Sequence, residues 1–246
     1  MSAQADGSPI LVAENVTMRF GGLVAVDSVN LSVSRGEIMG LIGPNGAGKT
    51  TFFNCLTGLY LPTAGSVIFE GALLPPKPRK VVIAGMARTF QNIRLFGNMT
   101  ALENVMVGRY CRTNTGPLTS ILRGPKFHRD EKATAARAQE LLDFVGLGNT
   151  TDNLARHLAY GDQRRLEIAR ALLRIPKLLL LDEPTAGMNP QETRQAEELI
   201  FKIRDQGPGG GGHRARHAVH FQPLRPRAVS GPRQGPDRGH ARRSPV

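Results

Sequence analysis

Residues 43–51 read Gly43-Pro44-Asn45-Gly46-Ala47-Gly48-Lys49-Thr50-Thr51, a complete G-x-x-x-x-G-K-T phosphate loop. Glycines at the fixed positions let backbone N–H groups curl around phosphate oxygens without a Cβ in the way. Lys49 supplies a point charge, and the Thr50 hydroxyl is placed to ligate Mg²⁺. The flanks agree with the loop. Glu37-Ile38-Met39-Gly40-Leu41-Ile42 is a short apolar run leading in, and Phe52, Cys55, Leu56 and Leu59 follow at i, i+3, i+4 and i+7. The pattern is strand, loop, helix, with an anion at the helix N-terminus. It predicts a site for a nucleoside triphosphate.

Working outward, Ile10 to Phe20 and Asp27 to Val33 alternate as half-buried antiparallel strands do, with turns at Gly21-Gly22 and Arg35-Gly36. Pro62-Thr63-Ala64-Gly65 turns the chain into a further strand, Ser66 to Glu70. Residues 99–175 are mostly helical in period: Ala101 to Arg109, Asp130 to Val145 and Asp162 to Leu173, the last stopped by Pro176. Leu178-Leu179-Leu180-Leu181-Asp182 is a continuous apolar run, the pattern of a strand buried on both faces of a parallel sheet. Thr193 to Arg204 is again helical. An α/β class follows.

The run ends in Asp182 and Glu183. Ligands of open α/β sheets sit beyond the carboxyl ends of the strands. A carboxylate there can hold Mg²⁺ opposite Thr50, and Glu183 is placed to polarise an attacking water. An ordinary Asp-Glu-Pro turn is the bland alternative, and it weakens beside a phosphate loop.

Between loop and strand lies Leu158-Ala159-Tyr160-Gly161-Asp162-Gln163-Arg164-Arg165-Leu166-Glu167-Ile168-Ala169-Arg170-Ala171-Leu172. This segment resembles the signature of ATP-binding cassette (ABC) proteins, normally L-S-G-G-Q. The remaining order matches as well: a glutamine loop at Thr89-Phe90-Gln91, the aspartate strand with Glu183, and a D-loop at Ala186-Gly187-Met188-Asn189. The words Ala87-Arg88-Thr89-Phe90-Gln91-Asn92-Ile93-Arg94-Leu95-Phe96, Asn98-Met99-Thr100, Leu102-Glu103-Asn104-Val105 and Gly187-Met188-Asn189-Pro190 resemble the ATP-binding subunits of branched-chain (hydrophobic) amino-acid importers. The resemblance covers about residues 9–205.

It implies a P-loop NTPase with a mixed or parallel core sheet, an antiparallel β subdomain and a helical signature subdomain. ATP and Mg²⁺ are the implied ligands. Residues 43–51 would hold the phosphates; Thr50, Gln91 and Asp182 would serve the metal; Glu183 and Gln91 would serve hydrolysis. Phe20 would stack on adenine, the alternative being packing at a strand end. Two cassettes, identical or paralogous, would pair head to tail. Ala159, Tyr160, Gly161 and Asp162 of one would then close on the ATP of the other, whose γ-phosphate meets a helix N-terminus. Gln91 would also touch an integral-membrane permease subunit, with a periplasmic or surface solute-binding protein engaged indirectly. The implied location is peripheral, on the cytoplasmic face of the inner or plasma membrane. Ala159 replaces the signature serine, a loss of about 1–3 kcal/mol if that hydroxyl makes a charge-assisted bond. Asn189 stands where many cassettes have aspartate. Arg164, Arg165 and Arg170 read as a charged helix face with no site role.

The 246 residues carry a net charge of +12, which invites a nucleic-acid reading. Its distribution opposes one. Residues 207–246 hold eight Arg and one acidic residue, net +7, with eight Gly and six Pro; residues 1–206 hold 24 basic and 19 acidic residues, net +5. The basicity belongs to the tail, and no nucleic-acid partner is expected. No apolar run spans a bilayer and no signal-peptide core opens the chain, so a soluble protein is expected. Two distant cysteines, Cys55 and Cys111, do not make a disulfide framework or a metal-ligand spacing and read as ordinary reduced cysteines.

A cassette should continue past Asp205 with an apolar strand and a histidine that contacts the γ-phosphate. Here Gly207-Pro208-Gly209-Gly210-Gly211-Gly212-His213 follows, with no strand to position His213. Sliding the codons of Gly212 to Phe221 by one base permits Val-Ile-Glu-His-Asp-Met-Arg-Phe-Ile, the missing segment. The same slide over Arg225 to Ala241 permits a resemblance to the family's closing strands. The expected organisation is therefore a cassette over residues 9–206 lacking its C-terminal strands, and a frame-shifted, disordered tail over 207–246. An uncovered apolar sheet edge, impaired hydrolysis and low stability are expected with it. Three other readings stay open: an ATP-binding product that does not work, a non-transport cassette acting on nucleic acid or ribosomes, and a tail that is a genuine nucleic-acid arm.

Overall fold

The computed structural model describes residues 9–44, 46–109, 125–206 and 218–221. Two four-stranded sheets organise them. The first is antiparallel, in the order β2-β1-β4-β5, from β1 (Leu11–Phe20), β2 (Leu23–Val33), β4 (Ala64–Phe69) and β5 (Ala72–Leu73). Gly21, at φ 58°, makes the β1–β2 turn where a left-handed backbone is required. The second sheet is parallel, in the order β3-β8-β7-β6, from β3 (Ile38–Gly40), β6 (Met86–Arg88), β7 (Leu178–Asp182) and β8 (Ala218–Phe221).

The four leucines of β7 are all fully buried, and they divide between two cores. Leu178 and Leu180 pack with the antiparallel sheet and with Phe52, Phe53, Cys55 and Leu56 of α1 (Lys49–Leu56). Leu179 and Leu181 face the other way, into a core shared with α3 (Ala101–Val107), α4 (Pro125–Phe144), α5 (Tyr160–Leu172) and α6 (Pro190–Gln206). Strand alternation thus makes one short segment the partition of the molecule. A sixth helix, α2 (Pro78–Ala84), starts on Pro78, whose fixed φ suits a first helical position. Helix α3 opens with a capping box: Glu103 N–H donates to Thr100 Oγ1 at 3.2 Å, and Thr100 N–H donates to Glu103 Oε2 at 2.8 Å.

Two expectations need correction, and three short elements were not foreseen. Helix α1 ends at Leu56, so Leu59 lies beyond it and is exposed. Helix α2 and the short strands β5 and β6 carry too few residues to show a period. The largest change is β8. Ala218–Phe221 form a strand between β3 and β7, in register with both: His220 aligns with Gly40 and with Leu181. The gap expected beside the aspartate strand is occupied. Composition averaged over forty residues hides a four-residue window containing Val and Phe, both good strand formers. Two neighbouring strands offering unpaired backbone groups recruit it. His213 and Cys111 lie outside the described residues.

Candidate active site

The phosphate loop leaves the carboxyl end of β3 and enters α1, whose N-cap is Gly48 at φ 78°. A Cβ on Gly48 would lie 2.0 Å from the Ala25 carbonyl oxygen of β2, so only glycine fits there. Gly46 is also left-handed, at φ 83°, and faces open space. No side chain caps α1 and no acidic residue occupies its first turn, which leaves its positive end for an anion. Lys49 Nζ donates to the carbonyls of Gly43 at 2.6 Å and Pro44 at 2.7 Å. Its ammonium is thus held over the loop by weak partners that a phosphate can replace. Pro44, Gly46, Ala47 and Thr50 are exposed, Gly43 and Thr51 half-buried, and Asn45 lies outside the described residues.

Asp182 closes β7 and is 6% exposed. Arg88 Nη2 pairs with its Oδ2 at 3.1 Å. The same guanidinium donates through Nη1 to Asn54 Oδ1 at 2.7 Å and to Thr57 Oγ1 at 3.3 Å, both on or beside α1. It also lies over the rings of Phe53 at 4.4 Å and Phe90 at 5.0 Å. Burial pushes the Arg88 guanidinium down from its ordinary value, and the Asp182 carboxylate offsets only part of that.

Glu183 follows at φ 45°, a left-handed backbone that costs a non-glycine residue about 1–3 kcal/mol. Gln91 Nε2 donates to Glu183 Oε2 at 3.0 Å. The structure therefore brings Gln91, Asp182 and Glu183 together at the carboxyl end of the parallel sheet. A carboxylate, a hydroxyl (Thr50) and an amide oxygen (Gln91) are hard donors of the kind Mg²⁺ takes. Among the described residues no three acidic, His or Cys side chains cluster as a metal cage. An ion here would complete its shell with phosphate oxygens and water, as Mg²⁺ does.

The signature residues open α5. Ala159 is its N-cap, exposed and without a side-chain cap bond, while Asp162 puts a carboxylate in the first turn. Tyr160 is 43% exposed, and a Cβ on Gly187 of the D-loop would lie 3.5 Å from its ring. Gly161 is buried, where a Cβ would meet Glu192 Oε1 at 3.1 Å. Asp162 pairs with Arg165 one turn on. Asn189 Oδ1 accepts from the N–H groups of Gln191 and Glu192, each at 2.9 Å, so asparagine at this D-loop position caps α6. Among the described residues, no hydrogen bond or ion pair joins the signature residues 159–162 to the phosphate loop of the same chain. Phe20, 45% exposed at the end of β1, meets Tyr60 edge-on at 5.5 Å.

One reading of the sequence is overturned. Arg164 is not on a charged outer face; it is 1% exposed. Its Nη1 donates to the Phe90 carbonyl and to Glu167 Oε2, and its Nη2 to the carbonyls of Gln91 and Glu183. The physical reason is helical phase: Gly161, Arg164, Ile168 and Leu172 recur at i, i+3, i+7 and i+11 and are all buried. That periodicity was the available signal. For Arg88, also unassigned from sequence, the signal was a lone cation closing a short apolar strand.

A family model described as ABC transporter matches residues 26–186. The high-affinity branched-chain amino acid transport ATP-binding protein LivG of Escherichia coli (strain K12) is 46% identical over 198 residues, covering 80% of this chain and 78% of that protein. BraF of Pseudomonas aeruginosa, of the same description, is 47% identical over 199 residues, with the same shares covered. A nucleotide-free ATP-binding cassette from an ABC transporter superposes with a TM-score of 0.72 at 30% identity, covering 87% of this chain and 81% of that one. A second such cassette, in its ADP conformation, gives 0.73 at 31% identity with the same coverage. The phosphate loop, the aspartate strand and the two-sheet fold thus meet in one conclusion: the chain belongs to the ABC transporter family.

Proposed function

We propose that this chain is the ATP-hydrolysing, energy-coupling subunit of an importer of branched-chain or other hydrophobic amino acids. The observation that carries the reading is the convergence of Gln91, Asp182 and Glu183 beyond β7. The identity to LivG and BraF supplies the solute class.

The phosphates of ATP lie in the loop N–H groups of residues 43–51, and the Lys49 ammonium exchanges its two carbonyl partners for phosphate oxygens. Phe20 offers its exposed ring to adenine. Thr50, Asp182 and Gln91 would hold Mg²⁺, which would supply charge neutralisation at the phosphates. Glu183 accepts a proton from a water whose oxygen bonds to the γ-phosphorus as the bond to the bridging β–γ oxygen breaks, releasing ADP and phosphate. Gln91 orients the Glu183 carboxylate. The N-terminus of α5, whose N-cap Ala159 makes no side-chain bond, serves the nucleotide of a second cassette, a copy or a paralogue, in keeping with the absence of a link between signature and phosphate loop among the described residues.

Permease subunits and a solute-binding protein complete the system, and the cassette sits peripherally on the cytoplasmic face of the membrane. No described helix is long and apolar enough to cross a bilayer. The cassette comprises residues 9–206 together with strand β8 (Ala218–Phe221), and residues 207–246 are translated from a shifted frame. Two experiments test this reading. Co-expression with a multispanning permease should give a membrane-bound complex, and Glu183→Gln should lower its turnover by about 10²–10⁴-fold while leaving ATP bound. A complex that turns over equally well with glutamine at position 183 contradicts the assignment.

A further inference from the structure

Arg164 is charged and fully enclosed, and nearly every donor it has is spent on one task. Nη2 reaches the Gln91 carbonyl at 2.8 Å and the Glu183 carbonyl at 3.1 Å. Nη1 reaches the Phe90 carbonyl, and Glu167 Oε2 at 2.8 Å. Nε alone has no partner. Glu167, 2% exposed, in turn accepts from the Phe90 N–H at 3.3 Å and faces Arg170 at 3.8 Å. A single guanidinium therefore ties three segments: the start of α5, the glutamine loop after β6, and the residue after β7. A planar fork can serve several carbonyls at once, which a lysine ammonium cannot do in the same geometry.

Two of the carbonyls belong to the residues whose side chains meet at the site. Glu183 is held left-handed at φ 45°, a conformation that persists only when its surroundings over-determine it. The bond from Arg164 to its carbonyl is such a constraint. We propose that Arg164 is a positioning residue for hydrolysis. It fixes the peptides of Glu183 and Gln91, and it does so from the helix whose N-terminus receives the other cassette's nucleotide. The inference rests on the role given above to Glu183.

Arg164→Met alone would leave buried Glu167 without its closer ion-pair partner, with only Arg170 at 3.8 Å facing it. The informative variant is Arg164→Met/Glu167→Gln, in which the amide oxygen still accepts from the Phe90 N–H. Arg164→Lys, which keeps charge without the fork, accompanies it. Hydrogen exchange of the full chain with a slowly hydrolysed ATP analogue should show residues 90–92 and 183–186 exchanging at least about tenfold faster in both variants. The Kd of the analogue should stay within about threefold of the parent's. Single-turnover hydrolysis of radiolabelled ATP should fall about 10- to 100-fold, with KM within about threefold. Unchanged exchange in both segments overturns the proposal. So does a loss of turnover that merely follows a loss of ATP affinity. Glu183→Gln run in parallel separates the two readings: if it retains turnover, the hydrolytic role of Glu183 fails, and the exchange data still decide whether Arg164 holds the segments.

Discussion

Gln91 and Glu183 stand 92 residues apart in sequence, yet the Gln91 amide donates to the Glu183 carboxylate at 3.0 Å. One comes from the loop after β6 and the other from the residue after β7, neighbouring parallel strands that end side by side. The bond fixes a carboxylate that is otherwise free to rotate in a half-open site. Gln91→Ala should therefore lower turnover about tenfold or more with little change in KM, because it removes the orienting bond and one Mg²⁺ ligand while the phosphate loop keeps its own contacts. Steady-state kinetics over a range of ATP concentrations checks this. A rise in KM with unaltered turnover would place Gln91 in binding instead.

Arg88 is the second structural cation of the site. It neutralises buried Asp182 and ties it to Asn54 and Thr57. Arg88→Met leaves that carboxylate buried and unpaired, at a cost of about 3–5 kcal/mol. Chemical denaturation should show this as a lower midpoint with an unchanged slope. A variant within about 0.5 kcal/mol of the parent would mean that Asp182 is not held by Arg88 in solution.

Glu70 gives a pH dependence with a definite sign. Burial alone would raise its carboxyl, but bonds from Lys177 and Arg35 outweigh that and hold it below its ordinary value. A carboxyl depressed in the folded state adds stability above its unfolded pKa, and that stability is lost as pH falls through the folded value. The pair with Arg35 is solvent-accessible, so Glu70→Gln should cost only about 0.5–1 kcal/mol at pH 7. The gap between variant and parent should close as pH drops below about 4. Thermal melts at both pH values check it; a gap that widens on acidification has the wrong sign.

Much of the site was legible because it is local. The phosphate loop, the apolar face of α1 and the buried run of β7 each declare themselves within ten residues, where glycine placement and periodicity act directly. Arg88 and Arg164 were not legible as site residues, because their meaning lies in partners far along the chain: Asp182 for one, Phe90 and Gln91 for the other. A charged residue within a helical run reads as surface until its phase is compared with Gly161, Ile168 and Leu172. Strand β8 escaped for a third reason. Its four residues acquire a structure from the unpaired edges of β3 and β7, not from their own surroundings in sequence.

That strand makes the tail testable. Ending the chain at residue 206 removes β8 and leaves facing edges unpaired, which should lower Tm by roughly 6–12 °C, the equivalent of about 3 kcal/mol. Restoring the reading frame near codon 206 should raise Tm above that of the present chain and increase turnover more than ATP affinity, since the histidine it returns would donate to the γ-phosphate. If the gene offers no single-base change that yields Val-Ile-Glu-His-Asp-Met-Arg-Phe-Ile, the frame-shift proposal is wrong.

The most direct test of the whole account is equilibrium binding of labelled ATP to the folded chain and to its Lys49→Ala variant. Losing a charge-assisted contact to phosphate should weaken binding about 10- to 100-fold while the fold, read by circular dichroism, stays intact. Equal binding by the two proteins, or none by a folded parent, would contradict the claim that residues 43–51 hold a triphosphate.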